Sequence, residues 1–282
     1  MCIKNKFKLI PATLIILLTS CHTAPMQEKN TPIENPPPIL TPHESEDKKE
    51  LISTPDKDVW DVREIDISEV DKNRKLISFT FDDAPSRTLE NIFAVFANFN
   101  ENNPHCKASA TVFFNSALFD SQTPHLLYNA CALGFELANH THSHFDLTTL
   151  DREKLLHEID TTDKQLERID GQSRHLLRAP FGRTNALVQE CASVPIIDWT
   201  IDTLDWTGAS EEDIYNTVYN NRFSGAIVLM HDGYEHTVSA LKRLLPDLEA
   251  DGYQAVSLSK MIKAHGCNFR QGKVYIRARK QT

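Results

Sequence analysis

The amino-acid sequence predicts an α/β fold built on a parallel sheet. After Lys72, short apolar runs alternate with helical stretches through most of the chain. This alternation is typical of parallel strands connected by helices that cover the sheet. The number of predicted strands suits either a barrel or an open doubly wound sheet, and periodicity does not distinguish the two. The length of 282 residues indicates one domain with extensions rather than two large domains.

Strands are predicted from short apolar runs between turn residues, and helices from longer amphipathic stretches. The predicted strands are residues 76–81, 108–114, 135–138, 175–178, 195–200, 226–230 and 254–258. The predicted helices are residues 88–99, 124–133, 152–169, 186–192, 211–220 and 238–250.

Residues 1–20 have the composition of a signal peptide. Lysines precede an apolar run over residues 9–18, which is too short to span a bilayer. The string Leu18-Thr19-Ser20-Cys21 resembles a bacterial lipobox and implies lipidation of Cys21, with an ordinary cleaved signal as the alternative. We therefore expect a lipid-anchored protein of the bacterial cell envelope. No Asp follows Cys21 directly, which in a Gram-negative cell resembles an outer-membrane sorting pattern.

The remaining chain divides by composition. Residues 21–58 are rich in proline and polar side chains, which predicts an extended linker with no core. Residues 59–72 contain apolar side chains that are expected to pack onto the domain as a lead-in. The main domain is predicted over residues 73–267, and residues 268–282 are expected to form a C-terminal tail.

The charge and cysteine content limit the partners and the chemistry. A formal net charge of −9 argues against a nucleic-acid partner, which requires a basic surface. In an oxidising compartment, disulfides are expected among Cys106, Cys131, Cys191 and Cys267. The pair Cys106–Cys131, on either side of the second strand, is the favoured one. We expect a monomer.

Reactive side chains follow several predicted strands. Asp82 and Asp83 end the first strand, and Arg178, Asp202 and His231 stand at or just after the ends of later ones. In parallel α/β folds the carboxyl ends of the strands meet at one edge, where functional groups collect. Each residue alone is compatible with a capping or salt-bridging role. Together with the histidines that follow the strand over residues 135–138, they make five strand ends with reactive side chains, which favours one functional site.

A pair of histidines follows the strand over residues 135–138. If this segment begins a helix, His140 and His144 lie one turn apart on one face and can share a metal ion, whereas His142 points away. Two adjacent carboxylates nearby, Asp82 and Asp83, also favour a bound cation, because neighbouring negative charges otherwise repel.

Five segments together resemble a known family. In chain order they are Thr80-Phe81-Asp82-Asp83-Ala84-Pro85, His140-x-x-x-His144, Arg178-x-Pro180-x-Gly182, Asp202-x-x-Asp205-Trp206 and Leu229-x-His231. They resemble the five ordered motifs of the NodB-homology polysaccharide deacetylases, carbohydrate esterase family 4. The resemblance implies a distorted (β/α)7-type barrel, with residues 73–267 as the catalytic domain. The family usually has Gly at position 84, and the extra methyl group of Ala84 is expected to affect turnover more than metal binding.

The resemblance also implies a metal centre and an acid–base pair. Asp83, His140 and His144 are implied to bind a divalent metal, expected to be Zn²⁺, with Co²⁺ or Ni²⁺ as alternatives. Asp82 is implied to be the general base, and His231 the general acid.

Further residues are given supporting roles by the same resemblance. Arg178 is implied to position Asp82, and Asp202 to orient His231. The backbone N–H of Phe181 is implied to stabilise the oxyanion, while Trp206 and Leu229 resemble walls of the acetyl pocket. For Leu229 a core role is an equal alternative.

The expected partner is an acetylated polysaccharide. The leading hypothesis is an N-deacetylase acting on N-acetylhexosamine polymers such as peptidoglycan, chitin-like oligomers or poly-N-acetylglucosamine. The alternatives are an O-acetyl xylan esterase and a non-catalytic lipoprotein that binds glycan. The presence of both Asp82 and His231 weighs against the last alternative, because glycan binding needs neither an acid nor a base.

Overall fold

The structure, a computed structural model, describes residues 58–279. The predicted signal peptide, Cys21 and all but the last residue of the predicted linker lie outside the described residues. Within residues 58–279, no helix combines the length and apolar character needed to cross a membrane.

The described chain alternates strands and helices as the sequence predicts. The strands are β1 (Lys75–Ala84), β2 (Thr111–Phe114), β3 (Glu136–Asn139), β4 (Ile196–Ile197), β5 (Ile201–Asp202), β6 (Ala226–His231), β7 (Tyr253–Ala255) and β8 (Val274–Tyr275). The α-helices are α1 (Leu89–Asn102), α2 (Thr123–Ala132), α3 (Arg152–Asp170), α4 (Ala186–Cys191), α5 (Glu211–Asn221), α6 (Glu235–Ala250) and α7 (Leu258–Ala264).

The strands form a distorted parallel barrel. The main sheet has the order β3-β2-β1-β6-β5, and β7 pairs with the first residues of β1. Single parallel bridges at Leu177 connect β3 to β4, and β4 continues directly into β5, which pairs with β6. Because β6 also pairs with β1, the strands close into a barrel. Between β3 and β4 this closure depends on single bridges rather than on long strands.

Alternation along β1 separates the core from the site. Ile77, Phe79 and Phe81 are fully buried in the cluster that packs against α1 and α6. Thr80 and Asp82 point to the other side of the sheet, because successive side chains of a strand alternate. The barrel interior is thus polar near the carboxyl end of β1.

Three predicted elements differ from the structure. The predicted strand 175–178 contributes only the bridges at Leu177, and the predicted strand 195–200 is divided between β4 and β5. The predicted strand 254–258 is present as β7 but ends at Ala255, and α7 begins at Leu258. These short apolar runs carry no period that separates strand from helix.

The segment expected to be a C-terminal tail belongs to the domain. β8 pairs in parallel with β4, and Arg277 forms an antiparallel bridge with Ala226. Gly272, at φ 66°, comes so close to the chain that a Cβ would lie 2.2 Å from the carbonyl oxygen of Gln189. Residues 268–279 are therefore part of the fold, held by backbone pairing that composition alone does not reveal.

The lead-in, residues 59–72, closes the amino-terminal end of the barrel. Trp60 donates its backbone N–H to Phe269 at 2.7 Å and its indole N–H to Ser259 Oγ at 3.2 Å. Ser259 in turn donates to the partly buried carboxylate of Glu136 at the start of β3.

The cysteine prediction is not met. Cys106, Cys131, Cys191 and Cys267 are all free thiols, two of them buried and two partly buried. The favoured Cys106–Cys131 pair is therefore not formed.

Candidate active site

The two adjacent carboxylates at the end of β1 occupy different environments. Pairing between β1 and β2 is irregular between Phe81 and Ala84, and Asp83 has a left-handed backbone with φ 62°. Asp82 is consequently buried, whereas the Asp83 side chain is 44% exposed. The irregular end of β1 therefore places the adjacent carboxylates of Asp82 and Asp83 in different surroundings.

Arg178 is fully buried and holds Asp82. Its Nη1 donates to Asp82 Oδ1 at 2.8 Å and to Thr80 Oγ1 at 2.7 Å, and its Nε donates to the carbonyl oxygen of Ile197 at 2.9 Å. Burial alone raises the pKa of Asp82, but the positive charge of Arg178, assisted by His140 and His231, brings that pKa below its usual value. Asp82 is therefore a fixed carboxylate at neutral pH.

Asp83, His140 and His144 converge in space. Their ligand atoms lie within 4.8 Å of one another. Asp83 Oδ1 is 3.6 Å from His140 Nε2 and 3.3 Å from His144 Nε2. Among residues 58–279 this is the one group of three or more such side chains with metal-site spacing.

The two histidines meet through a loop rather than through a helix. Thr141 and His144 have left-handed backbones, with φ 72° and 56°, so the condition that this segment begins a helix is not met. His142 points away, as expected, and its Nδ1 lies 2.9 Å from Ser116 Oγ. The loop turns sharply because two of its residues adopt conformations that a helix excludes.

Hydrogen bonds fix the orientation of the first histidine. His140 Nδ1 lies 2.9 Å from the carbonyl oxygen of Arg178, and since a carbonyl only accepts, Nδ1 carries the proton. The lone pair of Nε2 is then free to bind a cation, an arrangement typical of histidine ligands. One carboxylate and two imidazoles form a donor set that suits a divalent metal and leaves room for water or substrate.

Residues that sequence reasoning missed hold this loop. Asn139 accepts from the N–H of Thr141 at 2.8 Å and donates to Asp163 at 2.8 Å. The buried Glu158 of α3 accepts from the N–H of Ser143 at 2.6 Å. Asn139 precedes His140 directly and was detectable as a polar strand end, but nothing local connects Glu158 to the loop.

His231 is paired with Asp205, not with Asp202. Asp205 is fully buried, its Oδ1 is 2.7 Å from His231 Nδ1, and its Oδ2 accepts from the His231 N–H at 2.8 Å. Asp202 instead accepts from the N–H of Leu204 at 2.9 Å. The role assigned to Asp202 therefore passes to Asp205, because Leu204, with φ 53°, turns the chain back toward β6.

The contact with Asp205 controls the charge of the imidazole. Burial lowers the pKa of His231, but the hydrogen bond to Asp205 and the charge of Asp82 outweigh it and raise that pKa above its usual value. Asp82 and His231 are register partners on the adjacent strands β1 and β6. Asp82, held by Arg178, thus lies beside His231, which is held by Asp205.

The predicted substrate residues differ in exposure. Phe181 and Trp206 are 60% and 55% exposed, and the Phe181 ring lies edge-on to His144 with centroids 4.7 Å apart. Leu229 is buried within β6. The first two are accessible to a ligand, whereas the burial of Leu229 agrees with its alternative role in the core.

Ala84 fits the backbone at its position. It is fully buried, and its carbonyl oxygen accepts from the N–H of Asn115 at 2.8 Å. Unlike Asp83 before it, Ala84 does not have a positive φ. The turn therefore does not require glycine here.

Comparison with known proteins identifies relatives of this chain. Residues 69–194 match the polysaccharide deacetylase family profile. A peptidoglycan-N-acetylglucosamine deacetylase of Bacillus cereus is 32% identical over 204 residues, covering 69% of this chain and 92% of that protein. A bifunctional xylanase/deacetylase of Pseudobutyrivibrio xylanivorans is 28% identical over 200 residues, which cover 70% of this chain.

A solved structure has the same fold. The structure of the peptidoglycan deacetylase PdaC from Bacillus subtilis is similar with a TM-score of 0.63 and 29% identity, covering 69% of this chain and 93% of that one. The chain spans 32% of the length of the P. xylanivorans protein and 43% of full-length PdaC. Since the similarity includes almost the whole of the B. cereus deacetylase, the chain belongs to the polysaccharide deacetylase family.

Proposed function

We propose that the protein is a metal-dependent polysaccharide N-deacetylase that hydrolyses acetyl groups from N-acetylhexosamine residues of an envelope or extracellular glycan. One observation carries this proposal. A buried carboxylate, Asp82, and a paired imidazole, His231, lie on adjacent strands beside the three-residue cluster. A site that only binds glycan needs neither group, whereas hydrolysis of an amide uses both.

The cluster fits a divalent cation. Asp83, His140 and His144 would hold it, with Zn²⁺ as the preferred ion and Co²⁺ or Ni²⁺ as alternatives, because imidazole and carboxylate ligands suit these metals. A bound cation supplies Lewis-acid polarisation of the acetyl carbonyl and of a water molecule.

Asp82 takes the proton from the attacking water. Arg178 engages Asp82 Oδ1 at 2.8 Å, whereas Oδ2 faces the site and lies 3.6 Å from His140 Nε2. The salt bridge keeps the carboxylate ionised and fixed in position, and a positioned general base typically contributes 10²–10⁴-fold in rate.

His231 donates a proton to the leaving nitrogen. Asp205 engages His231 Nδ1 at 2.7 Å, so Nε2 is the position from which the proton is delivered. The amine of the glycan is a poor leaving group until it is protonated, and the carboxylate of Asp205 favours the charged imidazole that this step requires.

Phe181 and Trp206 are proposed to serve the substrate. The N–H of Phe181, in the turn after Arg178, is assigned to the oxyanion, a contribution of about 3 kcal/mol for a single donor. The exposed ring of Trp206 offers an apolar wall to the acetyl methyl group.

The polymer is proposed to be peptidoglycan or another N-acetylglucosamine glycan, by analogy with the B. cereus relative. An O-acetyl esterase acting on xylan is the second candidate, favoured by the bifunctional xylanase/deacetylase relative. Both reactions use the same acid, base and cation.

The protein is further proposed to be a monomer anchored to a bacterial envelope membrane by lipid on Cys21, in the outer membrane or periplasm of a Gram-negative cell. Replacing Cys21 by Ser should release most of the protein from the membrane fraction after a high-salt wash. Undiminished membrane retention would refute the lipid anchor.

Acetate release tests the activity. Protein depleted of metal by a chelator should release no acetate from N-acetylglucosamine oligomers or peptidoglycan, and addition of Zn²⁺ or Co²⁺ should restore release. Release from acetylated xylan alone would favour the esterase. No release from either class of substrate, by metal-restored protein that binds them, would indicate a glycan-binding protein.

A further inference from the structure

The described segment 268–279 has an unusual charge for this chain. It contains Arg270, Lys273, Arg277 and Arg279 and no acidic residue, although the protein has a net charge of −9. Lys273, Arg277 and Arg279 are exposed, and the apolar side chain of Ile276 between them is 46% exposed. We call Lys273, Ile276, Arg277 and Arg279 the basic edge.

We propose that the basic edge binds the surface of a membrane that contains anionic phospholipid.

The basic edge is a rigid part of the domain. Lys273 and Tyr275 accept backbone hydrogen bonds from Ile196 and Asp198 at 2.9 and 2.8 Å. Ala278 donates to Gly225 at 2.9 Å. A Cβ on Gly225 would lie 2.6 Å from the carbonyl oxygen of Ala278. Because the backbone is held at both ends, binding a surface has to order only the side chains of the basic edge and not its backbone.

The cations of the basic edge have no acidic partner among the described residues. No carboxylate of residues 58–279 lies within 4.0 Å of the charged nitrogens of Lys273, Arg277 or Arg279. Three of the five acidic residues of the neighbouring lead-in are instead paired with cations of their own. The lead-in pairs are Asp61–Arg63, Glu69–Lys107 and Asp71–Arg74. The positive charge of the edge is thus available to an external anion.

The basic edge lies at the opposite end of the barrel from the active site. Arg277 bridges to Ala226, the first residue of β6, whereas His231 is the last. Five residues of extended strand separate these two ends by about 16 Å. The described chain also begins here, since Val59 bridges to Arg270. The first described residues therefore lie near the basic edge.

These features favour a bilayer over a soluble polyanion. Each cation near an anionic membrane surface gains attraction, and the exposed Ile276 can enter the apolar boundary, as it cannot on a hydrated polymer. Attachment through this end would direct the active site away from the membrane and toward the glycan. That consequence rests on the proposed deacetylase function, whereas the binding does not.

Vesicle sedimentation tests the proposal with the full chain carrying Cys21→Ser, which removes the lipidation site. This protein should sediment with vesicles of phosphatidylglycerol and phosphatidylcholine at low salt, should not sediment with phosphatidylcholine alone, and should dissociate as salt is added. Changing Lys273, Arg277 and Arg279 together to Gln should weaken binding on the order of a hundredfold.

A matched control removes the same charge elsewhere. Lys154, Lys164 and Arg168 are exposed on α3, and changing all three to Gln should leave vesicle binding within about twofold, as expected for screened distant charges. Both triple variants should keep the parent's thermal unfolding temperature and acetate release.

Equal vesicle binding by the two triple variants would overturn the proposal, as would absence of binding to anionic vesicles. Binding to dextran sulfate but not to vesicles would also overturn it and indicate an acidic polymer as the partner. Failure of the deacetylase function would appear separately, as absent acetate release in the parent despite a clear difference between the triple variants on vesicles.

Discussion

The two ends of the barrel are built differently. Within residues 58–279, the five non-glycine residues with a left-handed backbone all lie at the end of a strand or in the loops that follow on the active-site side. They are Asp83, Thr141, His144, Phe181 and Leu204. Such conformations cost about 1–3 kcal/mol each and persist only where surrounding contacts impose them. The active-site end therefore combines backbone strain with the cluster of candidate metal ligands.

The opposite end is closed by satisfied hydrogen bonds. The partly buried carboxylate of Glu136 accepts from Thr111 Oγ1 at 2.9 Å and from the N–H and hydroxyl of Ser259, which Trp60 also contacts. Substitutions at the active-site end should hence reduce the catalytic rate with little effect on stability. Substitutions at the opposite end should lower stability with little effect on the catalytic rate.

The largest effect is expected from the two neighbouring carboxylates. Asp83→Ala removes one of three proposed ligands, so metal content and acetate release should be lost together. Asp82→Asn should keep the metal and lower the rate about a hundredfold or more, and His231→Ala should do the same. Metal analysis alongside acetate release measures both quantities. Loss of metal in Asp82→Asn with retention in Asp83→Ala would reverse the assignment.

At the opposite end, Glu136→Ala should lower the free energy of unfolding by about 3 kcal/mol. Three buried donors lose their acceptor, and hydrogen bonds to charged groups are worth more than neutral ones. Urea unfolding measures the change, with Glu101→Ala, on the exposed end of α1, as the control expected to change little. A full loss of activity in folded Glu136→Ala protein would contradict the division between the two ends.

His175, two residues before the bridge residue Leu177, should make the free energy of unfolding depend on pH. Burial lowers its pKa, but hydrogen bonds to Asp163 and Asp170 outweigh burial and raise the pKa from 6.5 to about 9. The stabilisation is complete below pH 6.5 and declines as pH rises through about 9, a loss of about 3 kcal/mol.

The free energy of unfolding of the parent and of His175→Gln should be measured from pH 6.5 to about 9. The comparison separates the titration of His175 from that of other groups. The variant should lack the decline, because glutamine does not titrate. Parallel declines in the two proteins would assign the pH dependence to another group.

The smallest expected effect distinguishes Asp205 from Asp202 at the active-site end. Asp205→Asn should lower acetate release at least about tenfold, because His231 loses the carboxylate that keeps it protonated. Since Asp205 raises the pKa of His231, its removal should also move the alkaline limit of activity to lower pH. Asp202→Asn should change neither quantity. Equal effects of both substitutions on the pH profile would restore a role for Asp202.

The sequence by itself determined the alternating α/β fold and the residues that meet at its carboxyl edge. Burial on one face and the 3.6- or two-residue period are local properties, so most helices were predicted within a few residues. Asp82, Asp83, His140 and Arg178 were identifiable because parallel topology brings all strand ends to one edge.

Only the tertiary structure decided which of these groups touch. Asp202 and Asp205 are chemically alike and three residues apart. The left-handed turn at Leu204 places Asp205, and not Asp202, in contact with His231. Glu158 supports the histidine loop from another element, and residues 268–279 join the barrel through backbone pairing. Periodicity records which side of an element is buried, but side-chain direction after a strand end depends on φ and ψ at individual turns and on neighbours distant in sequence.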